Sequence, residues 1–414
     1  MNMKDKLLID QYNKFPYPRP IKNIDKEIIN KGKIPIADPN FSWHLLWPEI
    51  KYSNKNLKIL IAGCGTHQAA IIARLNPQNF IIGVDISKNS IDHEKKLKEL
   101  HNLNNLELIN NDFRELKFDY KFDYIISTGV IHHLKEPDTA LNFFEKNISD
   151  KGVIYLMVYG SKKRFALNEI VKVYKKLQFS QTEKSIIQSK NLIGNLDENH
   201  PAKEFAYKST DMQSKEGIVD LLLNYQEKHY DIDELTNMIE NEKLFIKNTI
   251  DGSISSISKF FLDDYSMISK IRKLDYKDKL KIGQTLNWND AKIVLILNKV
   301  QNKKHSIILN KINLRKCFFY HNRSILIEIA KNYLIINEKK TSKKYKIKIN
   351  DKIVIDWKLI LSGKSDLNSI ITSNDKNLEK EIYDLFEILV ENRFIDISFY
   401  KIENYFNYLP KTEL

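Results

Sequence analysis

The sequence predicts an α/β protein built on a doubly wound, mostly parallel sheet, and three observations lead there. Short runs rich in Ile and Val alternate with helical segments across residues 57–160. These runs are apolar on both faces, as strands covered by crossover helices on both sides must be. A glycine-bearing turn, Gly63-Cys64-Gly65, follows the first run directly.

The runs are 57–62, 80–84, 106–109, 124–127 and 153–158, and they read as successive strands of a βαβ series. Before them, Pro16, Pro18, Pro20, Pro35, Pro39 and Pro48 forbid one continuous helix, so 1–50 reads as an ordered, aromatic-rich cap segment. After them, 163–230 is mostly helical and is read as an insertion over the mouth of the site. Residues 233–242 are a further helix with Asp231 as its N-cap, and 244–250 and 291–297 are strands that close the sheet, giving a domain over 51–300. The remainder, 301–414, has strands at 344–349, 353–355 and 394–399 and helices at 357–361 and 378–392. The second helix carries an apolar stripe of Ile382, Leu385, Phe386 and Leu389, and together these elements suggest a small winged-helix-like α+β module.

Length and charge set the outer bounds. A chain of 414 residues accommodates two or three domains. No run of about 18 apolar residues occurs, and the first ten residues are charged where a signal peptide is apolar. A cytoplasmic protein without a membrane span is expected. Two cysteines, Cys64 and Cys317, are too few and too far apart for a disulfide framework or a zinc site. The net charge of +13 invites a polyanion partner, but lysine is spread along the whole chain. The exception is 301–350, where Glu328 and Glu338 are the only acids; a solvated basic face is favoured there over a nucleic-acid surface.

The chemistry gathers at strand ends. Gly63 and Gly65 let the backbone approach a ligand, and the next helix turns its free N–H groups toward it. Gln68 stands where a dinucleotide fingerprint has its third glycine, which argues against a bound pyrophosphate. Asp85 ends the second run, where a carboxylate can accept both hydroxyls of a ribose, with Ile86 after it. The third run ends in Asp112-Phe113, an acid for the exocyclic amine of adenine and a ring for its face. The fourth leads into Gly129-Val130-Ile131-His132-His133-Leu134. All four ends fall on the carboxyl edge, where open α/β sheets bind ligands.

With these residues in place, the chain resembles the class I S-adenosylmethionine-dependent methyltransferases with their seven-stranded, Rossmann-like sheet. It is close to a bacterial group reading A-G-C-G-T-G after the first strand and G-V-L-H-H-L after the fourth. Tyr17-Pro18-Arg19 is similar to that group's N-P-Y-P-R segment, and 220–223 and 230–245 resemble its late helix and strand, so the likeness covers roughly 10–300. It implies S-adenosylmethionine as cofactor, with Gly63 and Gly65 against its amino-acid part, Asp85 on its ribose, Asp112 and Phe113 at adenine, Gly129 beside the methionine moiety, and Ile86 among the cofactor contacts. Where the group has its third glycine this chain has His67, or has lost one residue, and Thr66 and Gln68 are expected as further contacts.

Methyl transfer requires alignment of the acceptor more than a dedicated base, so the catalytic group is not marked by the sequence; His132, Tyr17 and Tyr159 are the candidates. Tyr12, Tyr17, Arg19 and His132 are expected to shape the acceptor pocket. The His132-His133 pair looks catalytic or metal-binding, yet adjacent residues diverge at a helix start, and no metal is expected. The favoured acceptor is a small molecule or a protein side chain. The alternatives are an RNA or other polyanion guided by 301–350, and a non-catalytic sensor of the cofactor that uses the C-terminal module to hold a protein partner.

Overall fold

The computed structural model describes residues 3–250, 254–262, 264–288, 291–300, 314–322, 325–330, 332–339, 342–350, 352–353, 360–369 and 375–402. Helix α1 (Met3–Lys14) ends before the first proline, and α2 (Pro39–Leu46) starts at Asp38, whose carboxylate accepts the Phe41 N–H. Strand and helix then alternate: β1 (Lys58–Ala62), α3 (Gln68–Leu75), β2 (Phe80–Asp85), α4 (Lys88–Leu100), β3 (Leu106–Asn110), β4 (Phe122–Thr128), α5 (Pro137–Asn147) and β5 (Ile148–Tyr159). Next come α6 (Ser161–Lys176), α7 (Glu183–Asn195), α8 (Pro201–Lys208), α9 (Lys215–Leu222), α10 (Ile232–Asn241), β6 (Leu244–Thr249), α11 (Tyr265–Lys273), α12 (Tyr276–Leu286) and β7 (Lys292–Lys299). The C-terminal elements are β8 (Phe318–His321), β9 (Ile325–Ala330), β10 (Tyr333–Glu338), β11 (Lys343–Lys348), β12 (Ser362–Asp366), α13 (Lys376–Glu391) and β13 (Ile395–Ser398).

The large sheet has seven strands in the order β3-β2-β1-β4-β5-β7-β6. β1 pairs in parallel with β2 and β4, and β7 runs antiparallel to β5, with Ile154 opposite Leu297. Ile59, Leu60, Ile61, Ile125 and Ile126 are wholly buried, each worth about 1.5–3 kcal/mol relative to an exposed side chain. That burial is why continuous Ile/Val runs, and not alternating ones, encode these strands. The strand order reverses between β1 and β4, and the crevice at such a reversal, beyond the carboxyl ends, is where this architecture takes ligands.

The chain divides into two compact units that interleave along the sequence. One comprises Met1–Lys33, Asn54–Phe245 and Asp290–Val300; the other comprises Ile34–Ser53, Ile246–Asn289 and Gln301–Leu414. The second unit carries two three-stranded antiparallel sheets, β11-β10-β9 and β12-β8-β13. Leu334, Ile336, Phe386, Leu389 and Phe394 share its core. The expected stripe Ile382, Leu385, Phe386 and Leu389 is buried on α13. The C-terminal segment is α+β, as expected, with two separate sheets and one long described helix; of the elements expected at 353–355 and 357–361, residues 354–359 lie outside the described ones. On β11, a sheet-edge strand, Lys344, Lys346 and Lys348 are exposed and alternate with half-buried Tyr345 and Ile347. Lysines on an edge strand discourage further pairing.

Candidate functional site

The site lies in the first unit, at the carboxyl ends of β1, β2, β3 and β4. Gly63 and Gly65 have φ of 77° and 58°, and Gly129 has 75°, in the left-handed region open to glycine. At Gly63 a Cβ would stand 2.3 Å from Val130 Cγ2, so the turns after β1 and β4 are packed on one another at the strand-order reversal. A Cβ at Gly65 would meet Tyr17 O and Pro18 Cδ at 2.9 Å, because the Tyr17-Pro18-Arg19 segment lies across this turn. Thr66 Oγ1 donates to Pro18 O at 2.6 Å. Gln68 Nε2 donates to Thr128 Oγ1 at 3.2 Å, a second tie between the two turns.

Asp85 receives the Gly65 N–H on Oδ2 and the Ser87 N–H on Oδ1, both at 2.8 Å. Burial raises its pKa and these two bonds lower it, with a net rise above the usual aspartate value. Each oxygen keeps a lone pair for a ligand hydroxyl. Ile86 beside it is half-buried.

The N-terminus of α3 is where the structure departs most from expectation. The Ala69 and Ala70 N–H groups do not point to an open cleft; they donate to Glu94 Oε1 and Oε2 of α4, each at 2.9 Å. Burial raises Glu94 to about 8, against the lowering effect of the Ala70 and Ala69 bonds. A buried carboxyl thus occupies the position that a phosphate takes in a nucleotide fold. The sequence held a signal for it: Ile91, Glu94 and Leu97 form one buried stripe of α4, with an acid in its middle.

At β3 the two residues of the expected pair have different protein partners. Phe113 is 4% exposed and stacks on Phe144, with ring centroids 5.5 Å apart, and meets Phe143 edge-on. Its ring is a core element. Asp112 caps the turn that follows, accepting the Arg114 N–H at 2.9 Å, and pairs with the Arg114 guanidinium at 2.5 Å.

Deeper in the unit a side-chain cluster gathers from distant positions. Tyr12 Oη donates to Asp220 Oδ1 at 3.0 Å, and Tyr17 Oη to Asp211 Oδ1 at 2.9 Å. Burial is the first cause that holds Tyr12, Tyr17 and Tyr159 above the usual phenol range, followed by the charge of Asp220. Asp220 itself is pushed up to about 6 by burial; His133 pulls it down and Glu227 pushes it up. Tyr159 stacks on His132 at 4.1 Å, and the Arg164 guanidinium sits 3.9 Å over the Tyr159 ring. His132 is wholly buried and held well below the usual imidazole value by burial, then by His133 and Arg164. Burial raises Glu227, but Arg164, at 2.9 Å, and the His229 hydrogen bond bring it down to about 2.

Of the residues singled out in the sequence, Gly63, Gly65, Thr66, Gln68, Asp85 and Gly129 come together at the strand ends, and Tyr12, Tyr17, Tyr159 and His132 belong to the deeper cluster. Arg19 is exposed. Glu94, Arg164, Asp211, Glu227 and His229 were not anticipated; the last four sit in segments without periodic or motif signals. Asp231 does stand at the N-cap of α10, but its carboxylate pairs with Lys162 at 2.9 Å and makes no side-chain cap bond.

Residues 53–243 match the family model described as a methyltransferase domain. An uncharacterized protein of Synechococcus sp. is 24% identical over 197 residues, or 45% of this chain and 47% of that protein. One of Rickettsia prowazekii is 33% identical over 113 residues, or 26% of this chain and 20% of the other. The chain therefore spans less than half the length of these relatives. Among solved structures, PKMT2 from Rickettsia typhi is similar with a TM-score of 0.63 and 16% identity, covering 92% of this chain and 78% of that one. The same protein in complex with AdoHcy gives a TM-score of 0.63 at 16% identity, over 92% and 77%. At such identity the likeness establishes the fold: a seven-stranded methyltransferase sheet. No helix among the described residues is long and apolar enough to cross a membrane.

Proposed function

We propose that residues 53–243 bind S-adenosylmethionine at the carboxyl edge of the sheet and transfer its methyl group to an acceptor lodged against the tyrosine and acid cluster. The observation that carries this reading is the Asp85 carboxylate, fixed by the Gly65 N–H at the strand-order reversal with its remaining lone pairs free for vicinal hydroxyls. Glu94 favours the same cofactor over a dinucleotide, because a carboxyl on the α3 N–H groups leaves a pyrophosphate no cradle there. The close bacterial group with the Tyr-Pro-Arg segment and the Gly-Val-x-His-His-Leu motif is the finer assignment.

The cofactor supplies a methyl group on a sulfonium, which departs as a neutral thioether. Gly63, Gly65 and Gly129 keep backbone, and no side chain, beside the amino-acid part, with Thr66 and Gln68 at its flank. Asp85 and Ile86 hold the ribose, and Asp112 with Phe113 borders the adenine. The acceptor is oriented by Tyr12, Tyr17 and Tyr159, with Arg19 at the surface. An acceptor that loses a proton gives it to one of the groups that titrate near neutrality, of which Asp220, at about 6, is the best placed by its pKa. The other candidates titrate away from neutrality, His132 below it and Tyr17 and Tyr159 above it, so they serve to orient the acceptor.

Three carboxylates, Asp211, Asp220 and Glu227, face this interior. They suit an amine or hydroxyl on a small molecule or protein side chain and repel a polyanion. Both cysteines are buried and unbridged, in keeping with a reducing cytoplasm. Incubation of the chain with methyl-labelled cofactor and fractionated cell extract tests the proposal: label is expected in the protein or metabolite pool. Absence of label from every pool, together with absence of calorimetric cofactor binding, overturns it; label in RNA overturns the choice of acceptor.

A further inference from the structure

Beneath Tyr159, the backbone and side chains of two segments bring His132, His133 and Glu227 together. One candidate ligand atom from each lies within 4.8 Å of the others. The segments are tied by the Lys228 N–H donating to His132 O at 2.9 Å and by Gln226 Nε2 donating to His133 O at 2.8 Å. His133 Nδ1 lies 2.8 Å from Gln226 O, so it carries the proton and donates, which leaves the Nε2 lone pair outward. This backbone bond is the support that orients metal-binding imidazoles in general. His132 is wholly buried, and neither of its ring nitrogens has a hydrogen-bond partner. Glu227 engages Arg164 and His229 through Oε1, while Oε2 is buried and unpartnered.

A buried imidazole with two unsatisfied nitrogens is costly as a packing element. Its stacking on Tyr159 explains its orientation and leaves the nitrogens unexplained. We propose that His132, His133 and Glu227 form a binding site for a divalent first-row metal ion, Zn2+ foremost, with two nitrogen ligands and one carboxylate oxygen. The ligand set is the one such ions take when a further position is left open. Ligands at about 2.1 Å around a tetrahedral ion stand about 3.4 Å apart, so the three atoms draw in by roughly an ångström on binding. Arg164 keeps Oε1 and the ion takes Oε2, so the ion pair and the metal share one carboxylate. Nothing in this assignment depends on the methyl-transfer reading.

The test uses the full chain, stripped with a chelator, dialysed and titrated with Zn2+ and with Co2+ in a calorimeter and a spectrophotometer. One ion per chain is expected, with a cobalt spectrum of low coordination number. His132→Phe keeps the ring stacked on Tyr159 and removes both nitrogens, and Glu227→Gln keeps the volume. Either is expected to weaken binding by more than about 100-fold, beyond what loss of a supporting partner costs. Failure of the unaltered chain to bind either ion overturns the proposal. So does binding that survives both substitutions in chains whose circular dichroism is unchanged. Titration with S-adenosylmethionine in parallel separates the outcomes: cofactor binding without metal binding sinks this inference alone, and metal binding without cofactor binding sinks only the proposed function.

Discussion

The strand-end edge and the deeper cluster stand in the same unit and are made in opposite ways. At the edge, backbone does the positioning: three glycines at positive φ, two N–H groups on Asp85, two more on Glu94. In the cluster, side chains from positions as far apart as Tyr12 and Asp220 or Tyr17 and Asp211 hold one another. The first is a property of short stretches of chain; the second exists only after the fold has formed.

If that contrast is right, single changes at the edge cost the most in cofactor binding or stability, and single changes in the cluster have smaller effects. The largest effect is expected for Asp85→Ala. Hydrogen bonds to a charged group contribute about 1.5–3 kcal/mol each, so losing two weakens S-adenosylmethionine binding by about 100-fold or more. Calorimetry on a chain with unchanged circular dichroism measures it, and unaltered affinity breaks the edge assignment.

Next in size is Glu94→Ala, which leaves two buried N–H groups unsatisfied at about 1–3 kcal/mol each. A loss of several kcal/mol in urea unfolding is expected, with a smaller loss for Glu94→Gln, whose single amide oxygen still accepts one of the two N–H groups. Equal losses from the two substitutions remove the capping role.

The cluster is probed through pH. The folded pKa of Asp220, about 6, lies above its ordinary 3.8. The folded state therefore binds the proton more tightly: this contribution to stability is complete below about pH 4 and lost as pH rises through about 6, some 3 kcal/mol in all. Asp220→Asn is expected to flatten the slope of unfolding free energy between pH 4 and 6. A slope that persists assigns it to other groups.

The smallest effect separates the regions most finely. Tyr17→Phe removes one bond to Asp211 and is expected to raise KM for the acceptor several-fold, while cofactor affinity stays within about twofold. A shift in cofactor affinity instead places Tyr17 with the edge.

The same contrast decides what could be read from the sequence. The parallel strands were legible because burial on both faces leaves uninterrupted Ile and Val, as in 57–62 and 124–127. The glycines and Asp85 were legible because a turn and the strand end before it fix both spacing and residue type. At Phe113 residue type alone does not separate two roles, since an aromatic after a strand reads alike whether it borders a ligand or packs on a ring such as Phe144. Asp211, Glu227 and His229 had no local signature, for their partners lie across the fold. The C-terminal module was the least legible, because short strands such as Phe318–His321 are paired by segments remote in sequence.

The interleaving of the two units has a consequence for synthesis on the ribosome. Strand β7 belongs between β5 and β6 in the large sheet, yet its residues, Lys292–Lys299, are translated only after a stretch destined for the other unit. At about 5–20 residues per second, the nascent sheet waits several seconds after β5 emerges with that flank of β5 unpaired. A chain stalled or clipped in the interval presents an open strand edge, the kind of surface on which polypeptides aggregate.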